Sequence, residues 1–192
     1  MKKTLFSLAI AALFSVATTT TVSAQTKMKM KEKTVMVGGA AMYPTKNIVE
    51  NAVNSKDHTT LVAAVKAAGL VETLSSAGPF TVFAPTNAAF DKLPAGTVET
   101  LVKPENKATL TKILTYHVVA GRMTSADLMK AIKAGKGTAT LKTVSGGTLT
   151  AMMKGKTIEL KDEKGGVSTV TIANVMQSNG VIHVVNTVLM PQ

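Results

Sequence analysis

The sequence predicts an α+β fold, helical in its first half and rich in antiparallel strands in its second. Three observations carry this. Apolar residues recur at helical spacing in the first half, as in Leu61, Val62, Val65 and Ala68. After Gly137 the pattern changes to period two, which predicts strands over 138–144, 148–153, 157–161, 167–175 and 181–189. The segments between them, Ser145-Gly146-Gly147, Lys154-Gly155-Lys156, residues 162–166 and Ser178-Asn179-Gly180, are hairpin-type connections.

The elements follow in order. A short helix is expected over 47–53. Asp57 is placed to cap the next, whose apolar stripe ends at Gly69. Leu70, Val71 and Leu74 form another short apolar turn before Gly78-Pro79 breaks the chain. In the strand that follows, Phe80, Val82 and Ala84 point to one face and Thr81 and Phe83 to the other. Thr86 and Asn87 end it and cap a helix carrying Ala88, Ala89 and Phe90. A helix over 104–115 has Pro104 in its first turn and buries Leu110, Ile113 and Leu114. Tyr116-His117-Val118-Val119 reads as a short strand closed by Gly121. Thr124 with Asp127 resembles a capping box for a helix that buries Leu128 and Ile132 and stops at Gly135.

The last strand is apolar on both faces, Val181, His183, Val185, Thr187 and Leu189 on one, Ile182, Val184, Asn186, Val188 and Met190 on the other. Such a strand belongs at the centre of a sheet covered on both sides. Asn179-Gly180, both tolerant of positive φ, is expected to make the tight turn that fixes its register. His183 and Asn186 need hydrogen-bond partners there, and their expected work is to fix the fold.

The N-terminus reads as an export signal. Lys2-Lys3 is basic, residues 5–16 are apolar with two serines, and Val22-Ser23-Ala24 is small, so a signal peptide over 1–24 is expected. The run is shorter than the ~20 residues that span a bilayer, and no later segment is long and apolar enough. The protein is therefore expected to be exported, to the periplasm, the cell surface or the medium. Residues 25–44, with Lys27-Met28-Lys29-Met30-Lys31 and Gly38-Gly39, read as a flexible basic linker, and 45–191 as one domain. Met28 and Met30 are soft ligands of the type copper(I) accepts, but no His or Cys stands beside them, and a basic tether is the favoured reading.

The absence of cysteine excludes disulfides, thiol catalysis and zinc–thiolate sites, so the fold rests on its core. The formal charge of +11 becomes +9 once Lys2 and Lys3 are removed. A basic surface favours anionic partners, whether acidic polysaccharide, anionic lipid headgroups or nucleic acid, but solubility is the favoured reading of charge spread in this way. The lysines are scattered and there are two tyrosines and five phenylalanines, without the basic, aromatic-interleaved stripe of a single-strand binder; no nucleic-acid partner is expected.

No catalytic constellation emerges. Gly155-Lys156-Thr157 resembles the end of a phosphate loop, but the required glycine is Thr150 and a strand follows. His58, His117 and His183 lack metal-ligand spacing, and strand histidines of this kind are by default hydrogen-bonded core residues. Asp162 and Glu163 read as a solvated hairpin tip, and no nucleophilic-serine elbow is present. No enzyme activity, metal or cofactor is expected.

Three ordered motifs resemble the fasciclin domain family: Thr81 to Phe90, Tyr116-His117-Val118-Val119, and Ser178 to Pro191. The resemblance spans about residues 45–191 and implies a compact fold with helices packed on an antiparallel-rich β-wedge or sandwich. It implies a secreted or cell-surface, non-catalytic role in adhesion or matrix interaction; with the basic surface and exposed loops, a surface protein or anionic polysaccharide is the expected partner. It also implies a binding role for Tyr116 and His117. Asn87 stands where many members carry Asp, and neutral Asn174 where an acid would complete an adhesion motif of animal members. The alternative is a periplasmic small-ligand or metal-binding module with a pocket between helices and sheet.

Overall fold

A computed structural model of the protein describes residues 34–192; the expected signal peptide and the Met28 and Met30 run lie outside them. The first element is a hairpin, β1 (Val35–Val37) and β2 (Ala40–Met42), turning on Gly38 and Gly39 at φ 56° and 76°. The flexible linker expected over 25–44 is corrected for these residues. Val37 and Met42 are buried against the helices and the main sheet, contacts that so short a stretch does not advertise in its pattern.

The helices are short, and α1, α4 and α7 carry side-chain N-caps. Asn47 closes a capping box with Glu50 at the start of α1 (Ile48–Ala52). A 3₁₀ turn, Lys56–His58, leads into α2 (Thr59–Ala68), which ends on left-handed Gly69 at φ 72°. The cap expected from Asp57 is not made. The Asn87 Oδ1 accepts instead from the Thr60 N–H at 3.0 Å and the Thr59 hydroxyl at 3.2 Å, a partner 27 residues away along the chain. Then come α3 (Val71–Ser75), α4 (Asn87–Phe90) capped by Thr86, and α5 (Thr97–Leu101), which the sequence pattern did not predict. A 3₁₀ turn at Pro104–Asn106 opens α6 (Lys107–Tyr116), and the Thr124–Asp127 capping box opens α7 (Ser125–Ala134).

The strands are β3 (Phe80–Pro85), β4 (Val118–Ala120), β5 (Thr138–Lys142), β6 (Thr148–Lys154), β7 (Thr157–Lys161), β8 (Val167–Gln177) and β9 (Gly180–Val185). They form one sheet in the order β4-β3-β9-β8-β7-β6-β5. Every pairing is antiparallel except β3 with β9. A bridge from Val119 to Thr143 brings the two edges together, so the sheet is nearly a closed barrel.

β9 is central, buried at all six positions. Its alternation with that of β3 divides the interior in two. Val82, Ala84, Ile182 and Val184 join Leu61, Ile113 and Leu114 on the helical side. Phe83 and Val185 join Leu128, Leu149 and Leu160 inside the sheet's concavity. Each Val, Leu, Ile and Phe among them contributes about 1.5–3 kcal/mol on burial.

Two expectations about β9 are corrected. It leaves the ladder at Val185 rather than at 189, because side chains take the next amides: the Ser168 hydroxyl accepts from the Thr187 N–H, and His117 from the Leu189 N–H. The preceding turn does not use positive φ at Asn179 or Gly180. Gly180 is demanded by close approach instead, since a Cβ there would lie 2.2 Å from the Phe80 carbonyl oxygen.

Candidate functional site

Tyr116 and His117 sit at a helix end rather than in a strand: Tyr116 is the last residue of α6 and His117 its cap. Their side chains are 0% and 3% exposed, so neither offers a binding surface, and the role carried to them by resemblance is corrected here. The Tyr116 hydroxyl donates to the Thr148 carbonyl at 2.6 Å and accepts from the Glu163 N–H at 3.2 Å. Burial pushes it up to about 12. His117 spans 72 residues of chain. Its Nδ1–H donates to the Ile113 carbonyl at 2.9 Å and its Nε2 accepts from the Leu189 N–H at 3.0 Å. A carbonyl can only accept and an amide only donate, so the ring is fixed as one neutral tautomer. Burial holds it down at about 4.

His183 follows the same logic. Its Nε2–H donates to the Met123 carbonyl at 2.9 Å, its Nδ1 faces the Asn174 N–H at 3.5 Å, and the ring stacks on Phe83 with centroids 5.7 Å apart. Burial lowers its basicity too. Asn186 accepts from the Thr169 N–H at 2.9 Å. Asn174 adopts a left-handed φ of 59° at a bulge in β8 and accepts from the Ser125 N–H at 2.7 Å, at the N-terminus of α7. Asp162, expected in solvent, is buried and accepts from the Gly166 N–H at 2.6 Å, Lys164 N–H at 3.0 Å and Met190 N–H at 2.9 Å. Glu163 accepts from the Thr148 N–H at 2.8 Å and the Gln192 N–H at 3.3 Å, and these bonds to the charged form hold its pKa below the ordinary glutamate value. Periodicity gave no sign of these contacts, because the partners are backbone groups, several of them far along the chain. These polar side chains are committed to backbone, and among the described residues no three His, Asp or Glu converge as metal ligands.

Three concave regions are present among the described residues, one of them an open groove beside β4 and β5, and the other two bear on function. The first is an apolar cavity of about 60 Å³ under the β1–β2 hairpin, walled by Val37, Met42, Leu61, Val65 and Val82. His58 lines it; its Nδ1 meets the Ser55 hydroxyl at 2.9 Å while Nε2 has no hydrogen-bond partner among the described residues. Burial lowers its basicity, against the opposing pull of the nearby Ala84 carbonyl. The second is an open cleft of about 480 Å³ where four loops meet, lined by Asn47, Ser75, Ser76, Pro79, Arg122 and Ser178 among others.

Asn179 builds that cleft. Its Oδ1 accepts from the Ile48 N–H at 3.0 Å, and its Nδ2 donates to the carbonyls of Leu74 at 2.8 Å and Ser76 at 2.9 Å. Its own carbonyl accepts from the Phe80 N–H at 3.0 Å. One buried amide thus locks the start of α1, the end of α3, the start of β3 and the β8–β9 turn together. Arg122, between β4 and α7, reaches the same turn, its Nη2 donating to the carbonyls of Gln177 at 3.2 Å and Ser178 at 3.1 Å.

A mixed sheet with helices packed on both of its faces and motif residues spent on holding loops defines a scaffold of the fasciclin type. The fasciclin domain family model matches residues 56–191, and the chain belongs to that family. Protein sll1483 of Synechocystis sp. is 47% identical over 170 residues, covering 88% of this chain and 86% of that protein. Immunogenic protein MPB70 of Mycobacterium bovis is 38% identical over 143 residues, 72% of this chain and 65% of that one. The pig transforming growth factor-beta-induced protein ig-h3 is 38% identical over 131 residues, which is 68% of this chain but 17% of ig-h3. Among solved structures, a FAS1 domain pair from the insect cell adhesion molecule fasciclin I has the same fold, with a TM-score of 0.68. Sequence identity there is 18%, over 77% of this chain and 52% of that one. No helix among the described residues is long and apolar enough to cross a membrane.

Proposed function

We propose that this protein is an exported, non-catalytic surface-interaction protein of adhesion type that engages anionic extracellular polysaccharide through its exposed loops. Charge is the observation that carries this reading. Residues 34–192 hold sixteen Lys and Arg against ten Asp and Glu. Among the described residues one ion pair forms, Lys154 with Glu159 at 3.2 Å. The remaining cations are left to attract anions, in many weak contacts that gain strength through multivalency. The relatives' names support the surface setting: one is a cell surface glycolipoprotein and the solved neighbour a cell adhesion molecule. The buried, neutral histidines support a non-catalytic role, since none is presented to a substrate. The test is retention of the purified protein on cells and on extracellular polysaccharide at low salt, with release as salt rises. Retention on cells stripped of polysaccharide would point to a surface protein as partner, and no retention on either would refute the reading.

A second reading has one observation in its favour, the unpartnered His58 Nε2 in the apolar cavity. It makes the domain a carrier of a small apolar ligand with one hydrogen-bonding group. At about 60 Å³ the cavity is far below the ~300 Å³ at which ordinary ligand pockets begin. Calorimetry with short-chain alcohols and ketones tests it, and absence of heat would count against it.

A further inference from the structure

We infer that the cleft around Arg122 is a binding site for an acidic sugar residue, one carrying a single carboxylate or sulfate ester among hydroxyls. The inference rests on the polysaccharide reading above and gives it a place. Arg122 is the only arginine in the chain. It is exposed and has no acidic partner among the described residues. Of its five N–H donors, those on Nη2 serve the Gln177 and Ser178 carbonyls; Nε and Nη1 have no partner among the described residues. The guanidinium is thus anchored from behind by neutral groups, and its charge is left uncompensated. No Asp or Glu lines the cleft, and Glu50 on α1 is spent on the Asn47 N–H at 2.8 Å.

The rest of the lining suits a sugar. The hydroxyls of Ser75 and Ser178 have no hydrogen-bond partner among the described residues, and each can both donate and accept. Ala77 and Pro79 are exposed and supply a small apolar ledge for a pyranose face. One cation for one anion, hydroxyls for hydroxyls and a ledge for the ring is the complement of an acidic sugar. At about 480 Å³ the space is in the range of small-molecule sites.

The walls are rigid. The Asn179 amide ties three of the loops, the Ser178 N–H donates to the Lys46 carbonyl at 2.9 Å, and the Gly121 N–H donates to the Pro79 carbonyl at 2.9 Å. A site held in this way gives up little loop entropy on binding, which matters for an exposed and intrinsically weak contact.

The experiment uses the purified protein against polygalacturonate and dextran sulfate, with neutral dextran as control, by interferometry at low salt. The wild type is expected to bind an acidic polymer and not the neutral one, and the polymer that binds tells carboxylate from sulfate. Arg122→Gln is expected to weaken that binding about tenfold. Lys133→Gln with Lys136→Gln lies at and just beyond the far end of α7, about 15 Å from its start, and is expected to change it less than twofold. Ser75→Ala with Ser178→Ala keeps the charge and is expected to weaken binding about threefold, which covers the case in which Arg122→Gln loses its fold. If Arg122→Gln is folded and binds as the wild type does, the site is overturned while the polysaccharide reading stands. If the wild type binds neither acidic polymer, both fall.

Discussion

Acid should unfold this protein in a pH window that belongs to its histidines. His58, His117 and His183 are buried, and burial lowers the basicity of each. His117 is held near 4 in the fold, against an ordinary 6.5 in the unfolded chain. Above pH 6.5 neither state of His117 binds a proton and the stability is full. As pH falls from 6.5 towards 4, the unfolded chain takes up a proton that the folded one refuses, and stability drops at up to about 1.4 kcal/mol per pH unit. The full gap is worth about 3 kcal/mol, of which about 2 is lost by pH 5. His58 and His183 are shifted in the same direction and steepen the loss. Asp127 and Glu163, lowered from 3.8 and 4.5, contribute stability that is lost only at more acid pH, which leaves the window from 6.5 to 5 to the histidines. Urea unfolding at pH 7.5, 6 and 5 measures it. The expected fall by pH 5 is at least about 2 kcal/mol, roughly 1 M in midpoint for a urea slope of about 2 kcal/mol per molar. His117→Gln should remove one proton from the linkage. Stability that stays flat within about 0.5 kcal/mol from pH 7.5 to 5 would refute the assignment of buried, neutral rings.

Three substitutions probe the polar ties. His117→Ala leaves the Ile113 carbonyl and the Leu189 N–H unpaired in the core, so a loss of about 2–4 kcal/mol is expected in urea titration; a loss below 1 would mean those bonds carry no weight. Asn179→Ala frees an amide and two carbonyls at once, and calorimetric melting should show a comparable loss, with faster hydrogen exchange at Ile48; unchanged exchange there would contradict the locking role. Gly180→Ala forces its Cβ to within 2.2 Å of the Phe80 oxygen, so β3 and β9 must separate; soluble protein with native melting behaviour would falsify the close-approach argument.

The alternation of β3 was legible in the sequence and is what splits the interior: Val82 and Ala84 turn to the helices, Phe83 to the sheet's concavity. The central place of β9 followed in the same way from its two apolar faces. Capping was legible where both partners are local, as at Thr124 with Asp127, and illegible where they are not: α2 is capped by Asn87 rather than Asp57. The β1–β2 hairpin and α5 were missed because neither carries enough residues to display a period.

The candidate site was less legible than the fold. Tyr116 and His117 announce the family by their identity, yet they are buried, and their partners lie 32 and 72 residues away. Asn179 drew notice as a turn residue, but its work is done by a side chain that reaches α1 and α3 across more than a hundred residues. Arg122 carried no signal, because a lone arginine in a loop has meaning only beside the serines that the chain brings to it. The sequence alone determined the α+β class, the family and the two-faced central strand, since periodicity and turn chemistry are local and survive in one dimension. Only the tertiary structure decided which polar groups are spent and which stay free. A hydrogen bond between distant residues leaves no period, and a cleft is a property of four loops rather than of any one of them.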